Sequence, residues 1–413
     1  MIRNLFAAVV LLFAGTANAQ WDTLNTGTDI RFNAIAHGDM IGQLAVGLNP
    51  AMDSGAYGAI FVSGDMGNTW WQIMPAAWDK NIEFWDVDCT SDQRAWIVGD
   101  SGHVIRQTIW FITYDCQVRL TGYSLRSGFA VNDSAFYCGG EHGVLFRTFD
   151  YGQTWDTLSS GTYETINDIY FSDAGNGWII GDGGFLKMTS DSGNTWTFVG
   201  TPLWGFNDFK SLDFQDTLGM NPYLVGESGS AQFSVNGGTS WWAISTGTTE
   251  TINRVRFLTS NAGLMVGNNG YIFRSENGGF TWSSDPSPVS VDLFGIAYSQ
   301  DTTAFICGDS GVILRSNVDI SSVRPHDAYS FNTTAYPVPT NGVLNVQMML
   351  GEESDLVIDL LDITGNVVNT EYHENVISGM STINLDLSGY SSGFYFVRVS
   401  NGVTSSTLRI IKS

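Results

Sequence analysis

Along this chain a short alternating run is followed, again and again, by a short run that is apolar throughout. Ile166-Asn-Asp-Ile-Tyr-Phe171 alternates and predicts a strand with one covered face. Gly177-Trp-Ile-Ile180 is uniformly apolar and predicts a second strand covered on both faces. Phe185 to Thr189 predicts a third strand, and Thr195-Trp-Thr-Phe-Val199 a fourth. Ala95-Trp-Ile-Val98, Ala135-Phe-Tyr-Cys138, Gly263-Leu-Met-Val266 and Ala304-Phe-Ile-Cys307 occupy the place of the second strand elsewhere.

Turn chemistry punctuates these strands on a fixed step. Gly-acid-x-Gly, or its Asn variant, opens at Gly99, Gly140, Gly181, Gly226, Gly267 and Gly308, at steps of 41, 41, 45, 41 and 41 residues. Four strands per repeat of that length is the signature of a β-propeller blade. The first strands begin near Arg31, Ile82, Tyr123, Ile166, Phe209, Ile252 and Leu293, which predicts seven blades. The first blade carries an insertion around Asn49 to Tyr57, and the second has Trp110 where a regular hairpin Trp belongs. The last blade stops at Ile313-Leu-Arg-Ser316 without a fourth strand. The segment Trp21-Asp-Thr-Leu-Asn-Thr-Gly-Thr28 matches the fourth-strand segment Trp155 to Thr162 at six of eight positions. The N-terminal segment is therefore expected to complete the last blade and close the ring, removing a sheet edge.

A second motif, Ser/Thr-x-Asp/Asn-x-Gly-x-Thr/Ser-Trp, rides on the repeat. Its key acceptors are Asp65, Asp150, Asp191, Asn236 and Asn277, and its terminal residues are Trp70, Trp155, Trp196, Trp241 and Trp282. A short acceptor folding back on turn N–H groups, a Gly at a position other residues resist, and a large apolar Trp describe a hairpin turn. These strings resemble the Asp-box (BNR) repeat of sialidases, xyloglucanases and related propellers. Five copies in register argue for a structural role, since a single catalytic site has no use for five.

The two ends of the chain read as addresses. Residues 1–19 have Arg3, an apolar run from Leu5 to Ala14, and Ala17-Asn-Ala19 before Gln20, the pattern of a secretory signal peptide. Residues 20–317 hold the propeller, and 318–335 read as a linker with Pro325 and paired Thr. The tail, 336–413, carries Tyr336-Pro337, Pro339-Thr-Asn-Gly342, Asp362-Ile-Thr-Gly365, Leu385-Asp-Leu-Ser388, Gly393-Phe-Tyr-Phe-Val-Arg-Val399 and Arg409-Ile-Ile-Lys412. It resembles the type A C-terminal sorting domain of the type IX secretion system of Bacteroidota, with Val338 where that family usually has Asn. The resemblance implies a small Ig-like sandwich that docks on the secretion machinery, and a propeller secreted or held at the cell surface. The whole fold is expected to be all-β.

Charge narrows the partners. There are 41 acidic and 18 basic residues, a net charge of −23. Nucleic acid and bare anionic membrane both need basic surface and are excluded. No segment after the leader reaches transmembrane length. Oxygen-rich turns permit weak Ca²⁺ binding, yet no loop has EF-hand or RTX spacing, and no cofactor or metal site is expected. The four cysteines do not read as a disulfide framework: Cys138 and Cys307 take equivalent buried places in separated blades, Cys89 follows a first strand, and Cys116 follows a fourth strand.

No catalytic residue is expected. Sialidases resemble one another in an Arg-Ile-Pro string and a three-arginine clamp. This chain lacks the string, and Arg106, Arg147, Arg274 and Arg315 sit singly on third strands. Xyloglucanase-type hydrolases resemble two propellers flanking one cleft, and here there is one propeller. The Gly-acid-x-Gly turns, the Asp-box hairpins, and first strands such as Ile166–Phe171 and Ile252–Phe257 resemble the photosystem II assembly and stability factor family. That resemblance implies a seven-bladed binding scaffold without catalysis. It also implies an arginine-rich patch, of which only neighbouring Arg254 and Arg256 are present. Finally, Asp100, Glu141, Asp182, Glu227 and Asp309 all fall in turns that open on one face, where they are expected to form an acidic rim for cations or a basic partner. The expected role is non-catalytic binding of an extracellular protein or glycan. A polysaccharide-cleaving glycoside hydrolase and a structural or adhesive surface protein are the alternatives.

Overall fold

The computed structural model describes most of residues 21–316 and 333–413. It leaves out 39–41, 50–56, 74–81, 91–93, 109–113, 200–206, 216–220, 235–236, 239, 260, 280 and 300–301 in the first range. In the second it leaves out 351–353, 363–365, 377–378 and 401–404. The leader (1–19), Trp110 and Asn236 lie outside the described residues. Contacts divide the chain into two compact units, Met1–Ser322 and Val323–Ser413.

The first unit is seven four-stranded antiparallel sheets. Numbered as blades 1 to 7, they open with inner strands Arg31–Gly38, Phe84–Cys89, Leu125–Ala130, Ile166–Phe171, Phe209–Phe214, Ile252–Phe257 and Leu293–Tyr298. Each inner strand contacts the next, and Leu293–Tyr298 returns to Arg31–Gly38, so the sheets form a closed seven-bladed propeller. The inner strands of blades 2 and 3 begin two residues later than the sequence suggests. Ile82 and Tyr123 belong to the approach loops, and the first buried ladder residues are Phe84 and Leu125.

Strand Trp21–Leu24 completes blade 7. Trp21 lies opposite Ser316 and Leu24 opposite Ile313. Trp21 is 3 % exposed and packs with Leu264, Leu293 and Leu314, while Leu24 joins Phe32 and Phe305. Burying Trp21 contributes about 2–3 kcal/mol. Arg315 fastens the same seam by donating to the carbonyl of Met66 at 2.8 Å and to Asn68 Oδ1 at 3.0 Å in blade 1.

The core lies between blades. Second strands such as Phe136–Gly140, Gly177–Gly181 and Gly263–Gly267 are buried throughout, as their uninterrupted apolar runs require. Cys138 and Cys307 sit in two of these strands. Cys89 closes its inner strand. Cys116 lies inside the fourth strand Tyr114–Arg119 instead of after it, opposite Arg106 of the third strand. None of the four cysteines is joined in a disulfide.

The second unit is a small sandwich. One sheet joins Thr333–Tyr336, Val343–Leu350 and Gly379–Asp386. The other runs Val367–Val376, Ser354–Leu361, Gly393–Ser400 and Ser405–Lys412. Leu344, Val346, Leu356, Ile358, Val397, Val399 and Ile410 fill the space between them. Thr333–Tyr336 begins inside the expected linker, where its Thr-Thr-Ala-Tyr run pairs with Asn345 to Met348.

Candidate binding site at the mouth of the central channel

The two ends of the propeller are built from different turns. At one end lie the Asp boxes. Asp65 accepts from the Thr69 N–H at 2.8 Å and from the Thr69 hydroxyl at 2.6 Å, while Ser63 Oγ accepts from the Gly67 N–H at 2.8 Å. Asp150 and Asp191 make the same pair of bonds with Thr154 and Thr195. Asn277 accepts from the Thr281 N–H at 3.0 Å. The Thr154 hydroxyl and N–H hold the Asp150 carboxyl down at about 2. Trp70, Trp155 and Trp282 each donate the indole N–H to the carbonyl of the box Gly. These Trp wedge against the preceding blade: Trp155 stands edge-on to Trp96 at 6.0 Å, and Trp196, Trp241 and Trp282 pack with Tyr137, Trp178 and Tyr223.

At the other end every inner strand begins with a β-bulge. The register slips between Phe32 and Ala34, Phe84 and Asp86, Leu125 and Ser127, Ile166 and Asp168, Phe209 and Ser211, Ile252 and Arg254, and Leu293 and Gly295. A bulge leaves one residue per strand unpaired and re-aims its side chain. These residues are Asn33, Trp85, Arg126, Asn167, Lys210, Asn253 and Phe294. All seven line one cavity of about 410 Å³ at the mouth of the central channel, with Arg31, Asp182 and Asp208 beside them and Asp86 and Arg254 below.

The five acids of the predicted rim stand in the turns around this mouth, and each is engaged. Asp100 accepts from the Trp85 indole at 2.7 Å and the Glu83 N–H at 3.1 Å. Glu141 accepts from Arg126 at 2.6 Å and the Ser124 N–H at 3.2 Å. Burial pushes the Glu141 carboxyl up, but Arg126 and Ser124 win and hold it below its ordinary value. Asp182 accepts from Asn167 at 2.8 Å, and Glu227 lies 3.7 Å from Lys210. Asp309 faces Arg31 at 3.8 Å, and its burial outweighs that cation and raises its carboxyl. The turn acids thus reach across to the bulge residues and Arg31 and orient them.

Below the mouth the channel is stitched by acids. Arg254 reaches Asp86 at 3.2 Å and Asp168 at 3.5 Å, and the Ser127 hydroxyl lies 3.3 Å from each carboxylate, able to donate to one of them at a time. The carboxylates also accept inward-facing N–H groups of neighbouring blades: Asp86 from Gly128, Asp88 from Ala130, Asp168 from Leu212 and Asp213 from Phe257. Burial pushes Asp86 and Asp213 up to about 6 against the pull of Arg254 and Arg256.

Among the described residues, no His, Cys or Ser lines the mouth, and no cluster of three or more metal-ligating side chains is present. What the cavity offers is fixed hydrogen-bonding groups and flat apolar or guanidinium surfaces. Sequence reasoning missed Arg31, Trp85, Arg126, Lys210 and Phe294. For all but Arg31 the signal is the residue after the first core position of each inner strand, which is Asn in three blades and Trp, Arg, Lys or Phe in the others.

This architecture defines the class: an exported-type chain made of an Asp-box propeller and a β-rich C-terminal sorting domain. Residues 334–413 match the family model of the secretion system C-terminal sorting domain. Residues 150–283 match that of the photosynthesis system II assembly factor YCF48. Two similar solved structures are YCF48 bound to D1 peptide and YCF48 from Cyanidioschyzon merolae. The first is 20% identical with a TM-score of 0.61, covering 73% of this chain and 96% of that one. The second is 18% identical with a TM-score of 0.59, covering 72% and 99%. At that identity the likeness is one of fold. No curated protein sequence matches the chain. No helix of the described residues is long and apolar enough to cross a membrane.

Proposed function

We propose that this is a non-catalytic binding protein, carried out of the cell by the type IX system through residues 336–413, which holds an extracellular protein or glycan at the mouth of its propeller. The observation that carries this is the convergence of seven bulge residues on one cavity, three of them Asn and four of them Trp, Arg, Lys and Phe, while the turns of the repeat recur. The carboxylates there are spent on orienting neighbours, which supports binding over bond cleavage. A propeller of the same fold holds a peptide in the YCF48–D1 structure, which supports the same reading. The full chain, screened against extracellular proteins and polysaccharides for binding and for release of reducing ends, tests it. Binding without cleavage is expected, and cleavage would make the protein a hydrolase. Export is tested by deleting 336–413, after which the propeller is expected to stay inside the cell.

A further inference from the structure

We infer that the mouth is a receptor for a neutral saccharide, and that Trp85, Arg126, Lys210 and Phe294 select it; the inference deepens the binding reading above and rests on it. The repeat itself points to these four. In blades 1, 4 and 6 the bulge residue is Asn, and its Nδ2 donates to the first carbonyl of the next inner strand. Asn33 reaches Phe84 O at 2.7 Å, Asn167 reaches Phe209 O at 2.8 Å, and Asn253 reaches Leu293 O at 2.8 Å. The clamp ties neighbouring blades together. Blades 2, 3, 5 and 7 have given it up for two aromatic and two cationic side chains. A local stabilising rule abandoned at selected copies marks function.

The chemistry of the replacements narrows the ligand. The Arg126 guanidinium lies over Trp85 at 3.8 Å from the ring centre, and Arg31 lies over Phe294 at 4.2 Å, forming two flat platforms on one side of the mouth. Across from them Lys210 sits 3.2 Å from Asp208 and 3.7 Å from Asp182. Each cation therefore faces a carboxylate already. A ligand carboxylate or phosphate must compete with a resident carboxylate for each cation, and a ligand cation must displace a resident one. Strand addition by a peptide is hindered along blades 3, 5 and 6, because the inward N–H groups of Gly128, Ala130, Leu212 and Phe257 are taken by aspartates. What remains is an alternation of N–H donors and carboxylate lone pairs beside flat surfaces. Hydroxyl groups, which donate and accept at once, fit that alternation. The volume of about 410 Å³ falls among small-ligand pockets.

The test is calorimetric titration of the full chain with neutral gluco-, xylo-, manno- and galacto-oligosaccharides, uronate oligosaccharides and unstructured peptides. Binding of a neutral oligosaccharide is expected, weakened at least about tenfold by Trp85→Asn and by Phe294→Asn. Both variants should keep the melting temperature within about 2 °C of the parent, because Asn restores the clamp, whereas Trp85→Ala should melt lower. Lys210→Asn, at the opposite wall, should weaken binding likewise but melt lower, because it leaves Asp182, Asp208 and Glu227 without their shared cation. Neutral binding that survives all three Asn variants would overturn the site, and exclusive binding of uronates or peptides would overturn the ligand class. Either result leaves the broader binding role intact. Failure of every probe to bind would overturn the saccharide reading, and the broader binding role would then stand or fall on the protein screen.

Discussion

The two ends of the propeller carry the same repeat and treat it in opposite ways. At the Asp-box end, Asp65, Asp150 and Asp191 meet the N–H four residues on at the same 2.8 Å, and Asn277 does so at 3.0 Å. At the mouth, the seven equivalent bulge positions hold N, W, R, N, K, N and F. A hairpin turn is satisfied by its own residues, so one solution can be copied from blade to blade. A bulge residue faces its neighbours and the channel, so each copy is free to differ once the clamp is relinquished. Uniformity at one end marks what holds the blade, and divergence at the other marks what the wheel presents.

The largest effect should come from a change that breaks both ends together. Deleting residues 21–26 removes Trp21 and the ladder to Ser316, and reopens the seam between blades 7 and 1. The melting temperature should fall by about 10 °C or more. An unchanged melt would show that the ring does not depend on this strand.

A change confined to the Asp-box end should destabilise without touching the ligand. Gly152 has φ +85°, and a Cβ there would meet Cys116 Sγ at 2.7 Å. Gly152→Ala should therefore cost about 2 kcal/mol, a drop of about 4 °C in scanning calorimetry, with affinity at the mouth preserved. Loss of affinity in this variant would mean that the two ends are coupled.

The channel between them responds to pH. Asp213 titrates at about 6 in the folded protein, above its ordinary value of 3.8, because burial outweighs the attraction of Arg256. The folded state binds this proton more tightly than the unfolded chain does. Its contribution is therefore greatest below about pH 4, is lost as pH rises toward 6, and is absent above. Asp213→Asn should raise the melting temperature by a few degrees at pH 8, where Asn Oδ1 still accepts from Phe257, and the gain should shrink to nothing near pH 4. A gain independent of pH would show that ionisation of Asp213 is not its source.

The smallest effect is expected from Asp150→Asn. Asn277 already serves the equivalent turn in blade 6, so the melt should move by about 1 °C or less at neutral pH. A large drop would give the Asp boxes a role beyond the turn.

Much of the fold was legible because repetition averages out local ambiguity. Any one apolar run such as Gly177–Ile180 fits several structures, but five copies punctuated by six Gly-acid-x-Gly turns at steps of 41 or 45 residues fit few. The match between Trp21–Thr28 and Trp155–Thr162 likewise exposed ring closure, as the missing fourth strand of blade 7 had to come from somewhere. The mouth was legible only in part. Asp100, Glu141, Asp182, Glu227 and Asp309 stood out because they recur, yet in the structure they support less conspicuous neighbours. Trp85, Arg126, Lys210 and Phe294 went unnoticed because a bulge sets them apart, and nothing in a six-residue strand announces that its second residue will be turned out of the ladder.

Strand number, blade count, the closing segment and the sorting tail follow from the order of residues alone, because hydrophobic period and turn chemistry are local properties that the chain writes in sequence. The meeting of seven bulge residues in one cavity, the pairing of Arg254 with Asp86 and Asp168, and the rise of Asp86 and Asp213 toward neutral pH do not. They arise because ring closure brings side chains separated by tens to hundreds of residues within hydrogen-bonding distance and shields them from water, and neither distance nor shielding exists until the wheel is complete.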